Sequence, residues 1–136
     1  MILTDTGPLV ALINRKDPNH KRCVEACKNL PPVPLSSTWP CFTEAMYLLF
    51  RAGGFAAQAA LWRMTMAGRL VLVDLAANDL ARMSGLMTKY RDKPMDLADA
   101  SLVCVAERQE VQRIFTLDSD FLVYRLPDGS NLQIVP

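Results

Sequence analysis

Four short stretches of the sequence put carboxylates where acids are costly to bury without a hydrogen-bonding partner or a chemical task. Asp5 follows the apolar Met1-Ile2-Leu3 start and precedes Thr6-Gly7-Pro8 and a second apolar run, so an acid stands where a buried strand should turn into a helix. Glu44 interrupts an apolar helical stretch between Phe42 and the Met46 to Phe50 run. Asp96 and Asp99 are three apart at a helix start, so they project from neighbouring points on one face. Asp118, with Asp120 two positions on, follows a later strand. In open α/β sheets the carboxyl ends of strands line the crevice where ligands bind, so these segments can deliver their acids to one cleft.

Each acid also has an ordinary structural role open to it. Asp96 could be a helix cap and Asp99 a first-turn charge. Asp118 and Asp120 could be Asx-turn residues, and Glu44 the polar edge of an amphipathic helix. Taken together the acids argue differently, because converging carboxylates repel one another unless a cation neutralises them. Magnesium or manganese is the natural choice: hard divalent ions prefer oxygen ligands and leave part of their shell to water and substrate phosphate. That predicts phosphate chemistry rather than structural metal binding.

The elements that must position these acids alternate between strand and helix. Met1 to Thr4 reads as a buried strand, Gly7-Pro8 as a turn into a helix through Ile13, and Asp17-Pro18-Asn19 as the opening of a second helix to about Leu30. In that helix Val24 and Cys27 are expected inward, with Lys21, Arg22, Glu25 and Lys28 toward solvent. Val33 to Ser36 is β-compatible, and Ser37-Thr38 before Pro40 resembles a cap for the helix carrying Phe42 to Phe50, which Gly53-Gly54 ends. A helix over Phe55 to Ala67, a strand over Leu70 to Val73 and a helix from Ala76 to about Tyr90 follow. After the charged Arg91-Asp92-Lys93-Pro94 connector come a helix from Leu97 to about Gln109, a strand near Gln112 to Thr116, and a last strand Leu132 to Val135. Strands separated by helices predict an α/β sandwich around a mainly parallel sheet, and no repeat or linker divides residues 1–136 into more than one domain.

Composition narrows the function classes. With 136 residues and 51% hydrophobic composition, the chain can bury a core without disulfides or a structural metal. Its 15 Lys and Arg against 14 Asp and Glu exclude a strongly basic nucleic-acid coat, so any polyanion must be attracted by local charge. Arg91, Lys93 and Arg125 flank the acidic segments and are the candidate phosphate contacts, with Arg51 a weaker one. Trp39, Phe42, Tyr47 and Phe50 could stack bases or pack against a partner, but at helical spacing most are expected in the core. The four cysteines lack disulfide-framework spacing. Cys23 and Cys27 share a helix face, but a structural zinc site needs four ligands and His20 is the single histidine, so packing is their expected role. No apolar stretch reaches the length of a bilayer span, and no secretory-type segment is read before the first strand, which makes a reducing cytoplasm the expected compartment.

In their order and spacing, Asp5-Thr6-Gly7-Pro8-Leu9-Val10-Ala11, Thr43-Glu44-Ala45, Met95 to Leu102 and Thr116-Leu117-Asp118-Ser119-Asp120-Phe121 resemble the PIN-domain family, in particular the small bacterial ribonucleases of VapC-type toxin and antitoxin pairs. The resemblance spans nearly the whole chain. It implies a three-layer α/β/α sandwich and an endoribonuclease dependent on Mg2+ or Mn2+, with Asp5, Glu44, Asp99 and Asp118 as the core acidic, metal-binding set. Asp96 and Asp120 correspond to accessory acids, Thr116 to a hydroxyl beside the site, and Thr6 to a similar support by side chain or backbone. It also implies a homodimer and an antitoxin segment that lends Arg or Lys to the site.

Two other classes are weighed against this reading. A phosphoryl-transfer domain using Asp5 as acceptor lacks its accompaniments: Thr6-Gly7 follow where a haloacid-dehalogenase-like nucleophile would want a second acid, early paired acids of a receiver domain are missing, and no Gly-rich P-loop is present. A non-catalytic PIN-like module that binds RNA or protein is the remaining alternative; for RNA it would gain by losing these negative charges.

Overall fold

The computed structural model describes residues 1–136. Its centre is a five-stranded, wholly parallel sheet in the order β3-β2-β1-β4-β5, built from β1 (Ile2–Thr4), β2 (Leu35–Thr38), β3 (Leu70–Val73), β4 (Arg113–Phe115) and β5 (Gln133–Val135). Alternate side chains of these strands enter opposite cores, as the two-residue period of a strand requires. Leu3 and Ile114 join α4 (Asp79–Lys89) and α5 (Leu97–Arg108) on one face. Ile2, Leu35, Leu70 and Phe115 join α1 (Thr6–Ile13), α2 (His20–Asn29) and α3 (Trp39–Met66) on the other. Helices on both faces of a parallel sheet make the three-layer α/β/α sandwich expected from the sequence.

The strand order fixes where a ligand should bind. From β1 the chain moves outward through β2 to β3, then returns through α4 and α5 to place β4 on the other side of β1. The order therefore reverses between β1 and β4, and the crevice at the carboxyl ends of those strands is the switch point of the sheet. Asp5 follows β1 directly and Asp118 lies three residues beyond β4; the Asp5 backbone N–H donates to the Phe115 carbonyl at 2.9 Å, joining the two strand ends.

Several boundaries differ from the sequence reading for identifiable reasons. α1 begins at Thr6 instead of after a Gly7-Pro8 turn, because the Asp5 carboxylate accepts the Thr6 N–H and Pro8, lacking an N–H, is accommodated in the first turn. β2 runs Leu35–Thr38, not Val33 to Ser36: Ser36, Ser37 and Thr38 are buried strand residues. The Ser37 hydroxyl donates to the Thr4 carbonyl at 2.7 Å, and the Thr38 and Ser101 hydroxyls share a 2.6 Å hydrogen bond, so these polar side chains enter the core without unpaired groups. The expected break at Gly53-Gly54 is present: α3 is two helical stretches meeting at a kink where both glycines are non-helical and Gly54 adopts φ +65°, a conformation that glycine reaches without steric penalty. In α2 the fully buried seam is Cys23 and Ala26, with Val24 and Cys27 half-buried. All four cysteines are free, and no helix is long and apolar enough to cross a membrane.

One buried acid lies away from the strand ends. Asp79, 4% exposed at the start of α4, accepts the Ala76 N–H at 2.7 Å and pairs with Arg108 of α5 at 3.4 Å. Asp79→Ala leaves the N–H and the guanidinium without this partner, and urea unfolding is expected to show a loss of about 1–3 kcal/mol with the rest of the fold intact.

Candidate active site

Asp5, Glu44, Asp96, Asp99 and Asp118 line one cleft of about 430 Å3, together with Thr6, Gly7, Leu48, Leu117 and Ser119. No lysine or arginine lines it. The sheet brings Asp5 and Asp118 to its switch point, α3 supplies Glu44 from its second turn, and the first turn of α5 supplies Asp96 and Asp99.

Local hydrogen bonds fix most of these side chains. Asp5 is 8% exposed; one oxygen accepts the Thr6 N–H at 2.7 Å and the other the Thr116 hydroxyl at 2.7 Å. The Thr116 oxygen accepts the Asp118 N–H at 3.0 Å, so this residue ties the two strand-end acids together. Asp96 caps α5, its Oδ1 accepting the Asp99 N–H at 2.8 Å, and Asp118 closes an Asx turn on the Asp120 N–H at 2.9 Å. The cap and turn roles are thus real, and both acids still face the cleft. The Asp99 Oδ2 accepts the Tyr124 hydroxyl at 2.8 Å, while its other oxygen has no hydrogen-bond partner. Thr116→Val removes a hydroxyl used as donor and acceptor; a loss of about 1–3 kcal/mol in chemical unfolding is expected, with Thr116→Ser restoring most of it.

Burial and crowding make Asp5, Glu44 and Asp99 hard to ionise in the metal-free protein. Burial raises the Asp5 carboxyl above its usual range against the Thr116 and Thr6 hydrogen bonds, with Asp118 and Asp96 adding repulsion. Asp99 is pushed up to about 8, chiefly by burial, opposed by the Tyr124 hydroxyl and reinforced by Asp96, Asp5 and Asp118. Glu44 is raised by partial burial and then by Asp96 and Asp5. Carboxyls that disfavour one another's ionisation, in a cleft without a basic side chain, form an oxygen-rich donor set suited to a hard divalent cation. No three of these side chains stand close enough together in this arrangement to ligate one ion at once.

The remaining sequence candidates fall outside this lining. Thr116 acts from behind Asp5, and Asp120 contributes its backbone N–H to Asp118. Arg91, Lys93 and Arg125 are exposed; Arg91 is hydrogen-bonded to the Thr88 carbonyl and Arg125 to the Leu122 and Val123 carbonyls. The expectation that the aromatic residues of α3 are core is corrected: only Phe42 is buried, while Trp39, Tyr47 and Phe50 are 46%, 61% and 58% exposed. Trp39 and Tyr47 line an apolar groove of about 720 Å3 with Leu75 and Leu97, and this groove shares Glu44 and Asp96 with the acidic cleft. Tyr124 was not legible as a site residue; its only signal is the aromatic spacing Phe121 to Tyr124 just after the acidic turn.

No family model matches the sequence. The ribonuclease VapC26 of Mycobacterium tuberculosis (strain ATCC 25618 / H37Rv) is 26% identical over 136 residues, covering 99% of this chain and all of that protein. Among solved structures, M. tuberculosis VapC20, described as a sarcin-ricin loop cleaving toxin, superposes with a TM-score of 0.86 at 19% identity over the full length of both chains. VapBC2 from Rickettsia felis, solved with a promoter DNA fragment, gives 0.65 at 16% identity over both full lengths. A toxin-antitoxin complex from Klebsiella pneumoniae gives 0.65 at 19% identity, covering 89% of this chain and 90% of that one. Over its full length the chain is thus similar in sequence to a protein named as a VapC ribonuclease, and it shares the fold of solved VapC-type toxin structures.

Proposed function

We propose that this chain is a divalent-metal-dependent endoribonuclease, the toxin of a toxin-antitoxin pair, with Asp5, Glu44, Asp99 and Asp118 as the acids that hold the metal. The observation that carries the reading is the convergence of these acids, with Asp96, on a cleft at the switch point of the sheet. Full-length similarity to a named ribonuclease supports the same activity. Asp5, Glu44, Asp99 and Asp118 would hold Mg2+ or Mn2+, which would supply Lewis acidity for phosphodiester hydrolysis.

The protein's own residues set the geometry. Thr116 and the Thr6 N–H hold both Asp5 oxygens in place, Asp96 and Asp118 fix the first turns beside them, and Asp120 supports Asp118 through its backbone. Arg91, Lys93 and Arg125 would contact phosphates flanking the scissile bond, where positive charge compensates the acidic centre. The apolar groove beside Glu44 and Asp96 suits an antitoxin segment, in line with the antitoxin-bound structural neighbours. Exposed Phe55, Trp62 and Met66 along α3 support self-association as a homodimer.

The test is cleavage of a mixed RNA pool with the divalent ion as the single variable. Cutting with Mg2+ or Mn2+ that stops on chelation is the expected result. A folded protein that binds RNA but does not cut with either ion would point to the binding-module reading instead.

A further inference from the structure

We infer that Tyr124 is a positioning residue whose hydroxyl restrains one Asp99 oxygen so that the other is presented to the divalent cation, an inference that rests on the proposed function. Tyr124 is 1% exposed, and its hydroxyl lies 2.8 Å from Asp99 Oδ2. Its ring is held edge-on by Tyr90 at 5.0 Å and by Phe121 at 5.1 Å between centroids, so the donor sits on a packed platform. Tyr90 is itself tied down, its hydroxyl accepting the Arg125 N–H at 2.9 Å.

The restraint answers a problem that this cleft creates. Asp99 faces Asp5, Asp96 and Asp118, and an unrestrained carboxylate among like charges would rotate away from them. A phenol donates one hydrogen bond, which occupies one oxygen and leaves the other for the cleft. Tyr124 belongs to the segment that follows Asp118 and Asp120, so its bond to α5 also fixes the spacing of two acid-bearing segments. Groups that orient metal ligands in this way commonly change metal affinity or activity about 10- to 100-fold when removed.

The test is Mn2+ titration of the full-length protein by isothermal calorimetry, comparing the parent, Tyr124→Phe and Phe121→Leu, with thermal melting and RNA-cleavage kinetics on the same preparations. Tyr124→Phe keeps the ring and is expected to bind Mn2+ about 10- to 100-fold more weakly, with kcat lowered and KM for RNA unchanged. Phe121→Leu loosens the same platform but keeps the hydroxyl; it is expected to melt earlier and to lose less Mn2+ affinity than Tyr124→Phe. Equal Mn2+ affinity in the parent and Tyr124→Phe, or equal weakening in both variants, would overturn the inference. So would a Tyr124→Phe protein that does not fold, since the hydroxyl would then serve the fold and not the site. A folded parent that binds no Mn2+ would instead fail the proposed function itself.

Discussion

Asp5→Asn is expected to abolish RNA cleavage, by at least about 100-fold, in a protein that remains folded. The lower bound follows from outer-shell changes, which already reach about 100-fold in metal enzymes, whereas this change alters a proposed direct ligand. Folding should survive because the Asn carbonyl can still accept the Thr6 N–H, and the Thr116 hydroxyl can turn to accept from the new amide. RNA binding measured in chelator should strengthen a few-fold, since one negative charge leaves a cleft that has no cation of its own. Gel cleavage and filter binding on the same preparations check both halves. Loss of cutting with tighter binding identifies a catalytic carboxylate; undiminished cutting would remove Asp5 from the mechanism.

The second large effect is on stability, and its sign is opposite to that of an ordinary ion-paired acid. Asp99 is raised from 3.8 to about 8, so in the metal-free protein the native state resists an ionisation that the unfolded chain undergoes freely. Below the unfolded value both states are protonated and Asp99 contributes nothing. As pH rises from about 4 to about 8 the unfolded chain ionises first, and native stability falls across that window. Asp99→Asn removes the ionisation while keeping an acceptor for Tyr124. In chelator at pH 8 it should exceed the parent by about 1–3 kcal/mol, a figure held well below the full shift because water enters the open cleft and the charge is shared among several acids. The difference should vanish near pH 4. Saturating Mg2+ should restore the parent and do little for the variant, because a ligand stabilises only the state that binds it. Urea unfolding across pH, with and without the ion, reads each of these outcomes, and a parent as stable as Asp99→Asn at pH 8 without metal would contradict them.

These two acids were legible in the sequence for different reasons than the features that support them. Asp5 stood out because an acid between two apolar runs has few ordinary explanations, and the parallel sheet followed from strands separated by helices. The support is tertiary and left little local trace. Ser37-Thr38 reads as a polar cap region, yet it is the carboxyl end of β2, made buriable by Thr4, 33 residues from Ser37, and by Ser101, 63 residues from Thr38. Tyr124 meets Asp99 across 25 residues, from the end of the short apolar run Phe121-Leu122-Val123-Tyr124, where an aromatic residue reads as core. The α3 aromatics misled because helical spacing does not say which face is inward: Phe42, Ala45 and Leu49 take the core, and Trp39, Tyr47 and Phe50 are left outside. The charged connector directly precedes the Asp96 helix, but Arg91 and Lys93 remain outside the cleft lining, which holds no lysine or arginine.

The most direct test of the metal centre is anomalous diffraction from crystals grown with Mn2+. The account predicts a peak within coordination distance of Asp5, Asp99 and Asp118 oxygens in the acidic cleft, absent from crystals of Asp5→Asn. A peak confined to another part of the molecule, or an acidic cleft without manganese at a saturating concentration of the ion, would contradict the account.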